Sequence, residues 1–278
     1  MKGGSKMSTI NPKPIGGFPE WLPEEKILEL RLLVIIRSNF ERYGFSPIET
    51  SAVERTEVLT AKGGNDREIY AIKRLAAEED EEGKNLALHF DLTVPLARYV
   101  AQNFSKIAFP FRRYQIQKVW RGERPQSGRY REFYQCDIDV IGDGELSLFT
   151  DAEMPSIIYN IFRQMEIGPF IIRVNNRKIL QGYLQYLEIP DGKRSEALRS
   201  VDKIEKIGIQ RVLVELSNVG ISEDAGKKLI DFVDQRASND EILKRLQSSD
   251  VNETFRNGVD ELATVVKHMR ALGVPDDY

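Results

Sequence analysis

Val119 to Gly142 reads "VWRGERPQSGRYREFYQCDIDVIG", with Arg121, Arg124, Arg129 and Arg131 crowded among Glu123, Gln135, Asp137 and Asp139. Residues 113–121 and 131–141 alternate as two strands. The loop between them is too short for a helical crossover, so they should pair antiparallel. Side chains alternate across a strand. Arg131, Phe133, Gln135, Asp137 and Asp139 therefore share one face, and Glu132, Tyr134, Cys136, Ile138 and Val140 the other. On the first strand Arg113, Gln115, Gln117, Val119 and Arg121 fall together. The hairpin can thus present one polar face, with cations near the loop and carboxylates further along. A solvated sheet face is the plainer reading. The residue types favour a polyanion site: Arg121 and Arg129 bracket a Gly/Pro loop, a layout suited to phosphate oxygens. Phe133 offers a ring that could stack on a base, and Gln135 and Asp139 offer fixed polar groups to a substrate.

Before the hairpin, "PEEKILELRLLVIIRSNFERYG" reads as a helix. Pro23 suits its first turn, Glu24 and Glu25 favour the N-terminal dipole, and Gly44 is the stop. "FSPIET" follows as an extended segment, in which Pro47 favours an edge strand. Residues 76–84 form an acidic, solvated turn. "LALHF" alternates as a strand and "DLTVPLARYVAQN" turns into a helix, with Thr93 as N-cap. Asp91 and Thr93 sit where ligand groups often lie, but by themselves they are better explained as helix caps. His89 reads as a strand residue and Cys136 as core.

After the hairpin, "DAEMPSIIYNIFRQMEI" is an amphipathic helix and "FIIRVNN" another strand. The asparagines of "RVNNRK" either function or only build the following turn. Residues 186–278 hold almost no strand signal: "SVDKIEKIGIQRVLVEL", "SEDAGKKLIDFVDQR" and "GVDELATVVKHMRALG" have helical periods. The boundaries expected are a loose tail over 1–18, a mixed portion over 19–185 and a helical subdomain over 186–278.

Composition narrows the function classes. The net charge of −3 announces no global basic field, so any polyanion site must be a local patch. Cys136 is the only cysteine and His89 and His268 the only histidines, which excludes an intrachain disulfide, a Cys-rich zinc site and a multi-His metal site. No apolar run approaches membrane-spanning length, and the first residues lack a signal-peptide core. The expectation is a cytoplasmic protein without a membrane partner.

"WRGERPQSGRYREFYQCDIDVIG" resembles motif 2 of class II aminoacyl-tRNA synthetases in its histidyl-tRNA synthetase form. "FDLTVPLARYVA" resembles that family's histidine-binding segment, and "ERYGFSPIETSAVE" its dimer-forming motif 1. "IRVNNRKIL" and the "VDKIEKIG" region match the usual order, the latter as the insertion domain. The resemblance covers about residues 17–278. It implies an α+β fold: a class II synthetase-like antiparallel sheet flanked by helices, with a C-terminal helical insertion subdomain. It implies a histidine–tRNA ligase with ATP as substrate, Mg2+, histidine and tRNA-His as partners, and a homodimer. It assigns Arg121 to the ATP α-phosphate and the histidine carboxylate, as the catalytic residue. Glu123 would meet the adenine amino group, Phe133 would stack on adenine, and Arg129 would hold the outer phosphates. Asp91, Leu92 and Thr93, with Gln135 and Asp139, would bind histidine; no residue is assigned to a metal. The family adds a second histidine-binding segment, motif 3 and an anticodon-binding domain, for which nothing here is a counterpart. The expectation is a truncated chain, inactive alone. A second reading is the histidyl-synthetase-like subunit that activates ATP phosphoribosyltransferase, although the intact ATP set argues for the enzyme.

Overall fold

The structure is a computed structural model that describes residues 11–61, 66–75, 85–234 and 237–276. The acidic run 76–84 lies outside the described residues. By internal contacts the chain forms two compact units: residues 1–146 with 160–166, and residues 147–159 with 167–278.

The first unit opens with α1 (Pro23–Arg42), β1 (Ser46–Pro47), β2 (Val53–Arg55) and α2 (Thr56–Leu59). It continues through β3 (Ala71–Ile72), β4 (Leu86–Leu88), α3 (Thr93–Asn103), β5 (Phe111–Trp120) and β6 (Glu132–Ile141). β5 and β6 pair antiparallel over their whole length, as the short loop between them required. β1 joins β5 in parallel and leaves Pro47 on the sheet edge, where its missing N–H costs no ladder bond. A second sheet runs β2–β4–β3, antiparallel throughout.

α1 starts at Pro23, and the Glu25 carboxylate accepts the Leu22 N–H at 2.9 Å. Gly44, at φ +77°, ends it. Its C-terminal half is docked: Phe40 and Asn39 are buried, Tyr114 Oη donates to Glu41 at 2.8 Å, and Asn39 pairs with Gln164. From its first turns to its middle it leaves Ile27, Leu30 and Val34 exposed on one helical face. At α3 the cap differs from expectation. The Asp91 carboxylate, not the Thr93 hydroxyl, accepts the Val94 N–H, at 3.2 Å. An aspartate three residues before an orphan N–H reaches it, whereas Thr93 is already the first helical residue. The expected tail also ends in attachment: the Gly17 carbonyl accepts N–H bonds from Arg131 at 2.7 Å and Glu132 at 3.3 Å.

α4 (Leu148–Met165) contributes residues to both units. The second unit holds α5 (Arg177–Tyr186), α6 (Asp191–Val201), α7 (Ile204–Ile207) and α8 (Ile209–Asn218). It ends with α9 (Glu223–Val233), α10 (Asn239–Ser248) and α11 (Glu253–Ala271). Residues 200–216, one period in the sequence, are broken between α7 and α8 by Gly208 at φ +79°. "FIIRVNN" forms no ladder. Phe170 and Ile172 pack against Tyr159 and Val265, while Ile171 stays exposed, so the alternation is real. A strand also needs a neighbour, and none of the described residues lies beside it in register. Asn176 instead caps α5, accepting the Lys178 N–H at 2.9 Å, which answers the "RVNNRK" question in favour of the turn. Among the described residues no helix is long and apolar enough to cross a membrane.

α5 and α11 cross closely because Gly182 and Gly258 face the other backbone. A Cβ on Gly182 would lie 2.6 Å from the Phe255 nitrogen. Asn252 sits at the same crossing, accepting the Phe255 N–H at 2.9 Å and donating to the Gly182 carbonyl at 2.8 Å. Alanine at 182 gains about 1 kcal/mol of helix propensity. It loses more, because backbone cannot rotate aside, and overpacking costs about 1–3 kcal/mol. Gly182→Ala is therefore expected to lower the urea midpoint of the protein; an unchanged or higher midpoint would show that the crossing has slack.

Candidate functional site

The β5–β6 register sets the site. Arg113 faces Asp139, Gln115 faces Asp137, Gln117 faces Gln135 and Val119 faces Phe133. Next along this face, beyond the paired strands, come Arg121 and Arg131, joined by a backbone bond of 2.9 Å from Arg121 N–H to the Arg131 carbonyl. One face thus runs from a carboxylate end to a guanidinium end, as the alternation predicts.

At the carboxylate end Arg113 is fully buried and forms an ion pair with Asp139. Burial pulls its pKa down, and Asp139 and then Asp137 oppose that pull. Its nitrogens make no aligned hydrogen bond among the described residues. Burial raises the Asp137 carboxyl above the ordinary aspartate range. Arg113 works against this, Asp139 and Asp91 add to it, and Arg121 opposes it last. Asp91 from the β4–α3 turn, two β6 aspartates and two β5-side arginines therefore share one electrostatic neighbourhood. Thr50, just beyond β1, steadies the floor. Gln115 Nε2 donates to the Thr50 hydroxyl at 3.0 Å and to Gln117 Oε1 at 2.5 Å, and Gln117 Nε2 donates to the Thr50 carbonyl at 2.9 Å. The Oε1 atoms of Gln115 and Gln135 are buried without a partner among the described residues.

At the guanidinium end Arg121 Nε donates to the Phe90 carbonyl at 3.0 Å, and the guanidinium lies over the Phe133 ring at 5.1 Å. Its Nη atoms are left for a ligand among the described residues. Glu123 pairs with Arg129 at 3.1 Å, and Arg129 is 61% exposed. Such a pair contributes roughly 0–1 kcal/mol, so both groups can change partners cheaply. They line an open cleft of about 640 Å³ with Glu68, Arg124 and Gln126. Arg131 Nε holds the Glu123 carbonyl at 2.9 Å, and the Gly122 N–H donates to the Glu68 carbonyl at 2.7 Å. Gly17, at φ +88°, lies so close that a Cβ would meet Arg131 Cγ at 2.9 Å.

Every residue singled out in the sequence can now be placed. Arg121, Phe133, Gln135 and Asp139 lie along one face, and Asp91 interacts with it. Glu123 and Arg129 meet at the loop. Leu92 is fully buried and offers a ligand only its backbone, and Thr93 is exposed beside Asp91. His89 is buried, donates Nε2–H to the Lys118 carbonyl at 2.7 Å and packs on Trp120, so it is structural. Arg113, Asp137 and Thr50 were not singled out. The first two were visible on the polar face, but nothing local in the sequence says that one arginine is buried under two aspartates.

The histidyl-tRNA synthetase family model matches residues 17–277. Over 98% of its length the chain is 45% identical to a histidine–tRNA ligase of Clostridium tetani, and over 98% it is 47% identical to one of Trichormus variabilis. It covers 60% and 62% of these two relatives, so it spans about three fifths of their length. The crystal structure of histidyl-tRNA synthetase from Nostoc sp. PCC 7120 superposes with a TM-score of 0.86 at 46% identity, over 97% of this chain and 60% of that one. An ATP phosphoribosyltransferase regulatory subunit/histidyl-tRNA synthetase from Bacillus halodurans superposes at 0.78 with 17% identity, over 96% of this chain and 66% of that one, which is a likeness of fold.

Cys136 lies on the opposite face of β6, and burial, with Asp137 adding, pushes its thiol up to about 12. At pH 8 only roughly one molecule in ten thousand would carry the reactive thiolate. Iodoacetamide is expected to leave Cys136 largely unmodified at pH 8 until urea unfolds the chain. Rapid labelling of the folded protein would contradict its placement.

Proposed function

This chain belongs to the histidyl-tRNA synthetase family, and on that premise we propose that it carries the amino-acid-activating site of a histidine–tRNA ligase. The observation that supports this most is the gradient along one face of β5–β6: guanidinium groups by the loop, carboxylates at the far end, and Arg121 towards the loop with Nη donors unpaired among the described residues. ATP, entering as its magnesium complex, places its phosphates at the loop. Arg129 leaves Glu123 for the outer phosphates, Glu123 turns to the adenine amino group, and the adenine stacks on Phe133. Histidine lies towards Asp91, Thr93, Gln135 and Asp139, with the Leu92 backbone beside it, and its carboxylate points back to Arg121. The carboxylate oxygen attacks the α-phosphorus as pyrophosphate leaves. No protein nucleophile is needed; positioning and neutralisation of the crowded phosphorus centre do the work. A tRNA-His hydroxyl then attacks the adenylate carbonyl and AMP leaves. On this reading residues 19–185 are the catalytic portion and 186–278 the helical insertion.

The setting is cytoplasmic and the assembly a homodimer. Its support is α1, whose Ile27, Leu30 and Val34 form an apolar face left exposed by the described residues, followed by the β1 edge. The regulatory-subunit reading is not favoured, because a subunit that only activates another enzyme has no use for Arg121, Glu123, Arg129 and Phe133 together.

In the full-length protein that carries this sequence, Arg121→Ala is expected to slow histidine-dependent pyrophosphate exchange by about 3–4 kcal/mol, the scale of a lost oxyanion donor. Histidine affinity should fall less. Exchange within about tenfold of wild type, ~1.4 kcal/mol, would remove Arg121 from the chemistry. For the dimer, Val34→Glu should shift the light-scattering mass of that protein towards monomer, and a wild type that stays monomeric at high concentration would reject the interface.

A further inference from the structure

The loop that carries Glu123 and Arg129 is held from outside the hairpin. Ile15 to Phe18 form a tight turn, closed by the Phe18 N–H on the Ile15 carbonyl at 3.0 Å. Its third residue, Gly17, sits at φ +88°, where such a turn calls for glycine. The Gly17 carbonyl accepts the Arg131 N–H at 2.7 Å, and the Arg131 carbonyl in turn accepts the Arg121 N–H at 2.9 Å. The Arg131 side chain passes so near Gly17 that a Cβ there would meet its Cγ at 2.9 Å and its Cδ at 3.0 Å. Beyond that point its Nε–H reaches the Glu123 carbonyl at 2.9 Å. Two ring contacts extend the seam. Trp21 meets Tyr130, the neighbour of Arg129, with centroids 5.8 Å apart, and Phe18 meets Tyr70 at 6.0 Å. Between Gly122 and Tyr130 the loop's own main-chain bonds are the two at the Gln126–Arg129 turn, among the described residues. The Glu123–Arg129 ion pair is exposed on the arginine side and adds little rigidity.

We propose that Gly17 is a positioning residue for ATP, acting through Arg131 on the main chain at Glu123. This rests on the histidine-activating reading above and adds to it a residue outside the hairpin. The loop's own bonds leave it free to swing about its base, and the seam along Gly17 removes that freedom. Gly17 has two properties that no other residue type combines: it adopts the turn without strain, and it leaves room for the Arg131 stem. A side chain at 17 pushes that stem aside and takes Nε off the Glu123 carbonyl. Glu123 and Arg129 then reach the nucleotide from a shifted loop, and a misplacement of about 1 Å can cost about a hundredfold. The histidine end of the face is several residues away along the ladder and keeps its own bonds to Thr50.

The test measures histidine-dependent pyrophosphate exchange in the full-length protein, with KM for ATP and KM for histidine taken separately, and a thermal melt of each variant. Gly17→Ala is expected to raise KM for ATP about tenfold or more and to leave KM for histidine within about twofold. Gly16→Ala, whose Cβ meets nothing within 4 Å and whose φ is not positive, should change neither. Arg131→Lys keeps the charge but loses the Nε–H, so it should shift KM for ATP in the same direction. The double variant should then be no worse than the worse single one, because both changes break the same contact. A lower melting temperature with both KM values unchanged would make the segment a structural fastening only and overturns the proposal. An equal rise in both KM values overturns it too, and so does an additive loss in the double variant, which would separate Arg131 from Gly17. If Gly17→Ala does not fold, Arg131→Lys carries the same test through the ratio of the two KM values. A wild-type protein without histidine-dependent exchange overturns the function itself and the inference with it, whereas wild-type exchange with an indifferent Gly17 overturns the inference alone.

Discussion

Arg113 keeps a full charge inside the protein by standing directly opposite Asp139 on the next strand. A buried ion pair of this kind is a weak source of net stability, because desolvating both groups consumes most of the attraction. What it does supply is intolerance of the wrong register. Sliding β6 by one residue would turn Asp139 to the opposite face and set Val140 or Ile138 against the guanidinium. The same slip would carry Asp137, Gln135 and Phe133 away from Arg121. The order of chemical groups along the hairpin therefore depends on one cross-strand pair at its far end.

That pair also explains which parts of the site are legible in the sequence. Alternation placed Arg121, Phe133, Gln135 and Asp139 on one face, because a strand has a period of two and the loop is too short for anything but a hairpin. Pro47 announced a sheet edge, and Gly44 announced a helix end, because these residues act through their own backbone. Burial depth is another matter. Nothing near Arg113 in the chain says that no solvent reaches it, since its ion-pair partner Asp139 stands on the next strand and its other ladder neighbour, Ser46, on β1. Which aspartate on this face pairs with Arg113 is likewise a fact of tertiary packing.

The other discrepancies have the same origin. Phe170 to Asn176 has strand alternation, but a ladder is a property of two segments. Thr93 and Asp91 both suit a helix start, and the one whose oxygen reaches the Val94 N–H takes the role. The Gly182–Phe255 crossing joins segments about seventy residues apart, and the only local sign of it is a glycine in the middle of a helix, where propensity alone would put alanine.

Gly17 holds the loop end of the hairpin through Arg131, whose guanidinium also reaches the Gly16 carbonyl across 115 residues of chain. During synthesis the glycine leaves the ribosome long before its partner exists. At translation rates of about 5–20 residues per second, the wait is roughly 6–23 s. The hairpin, by contrast, closes between neighbours as soon as β6 emerges. The N-terminal strap is thus a long-range fastening that can close only once Arg131 and Glu132 have been made, and it holds the strand end beside the loop that carries Glu123.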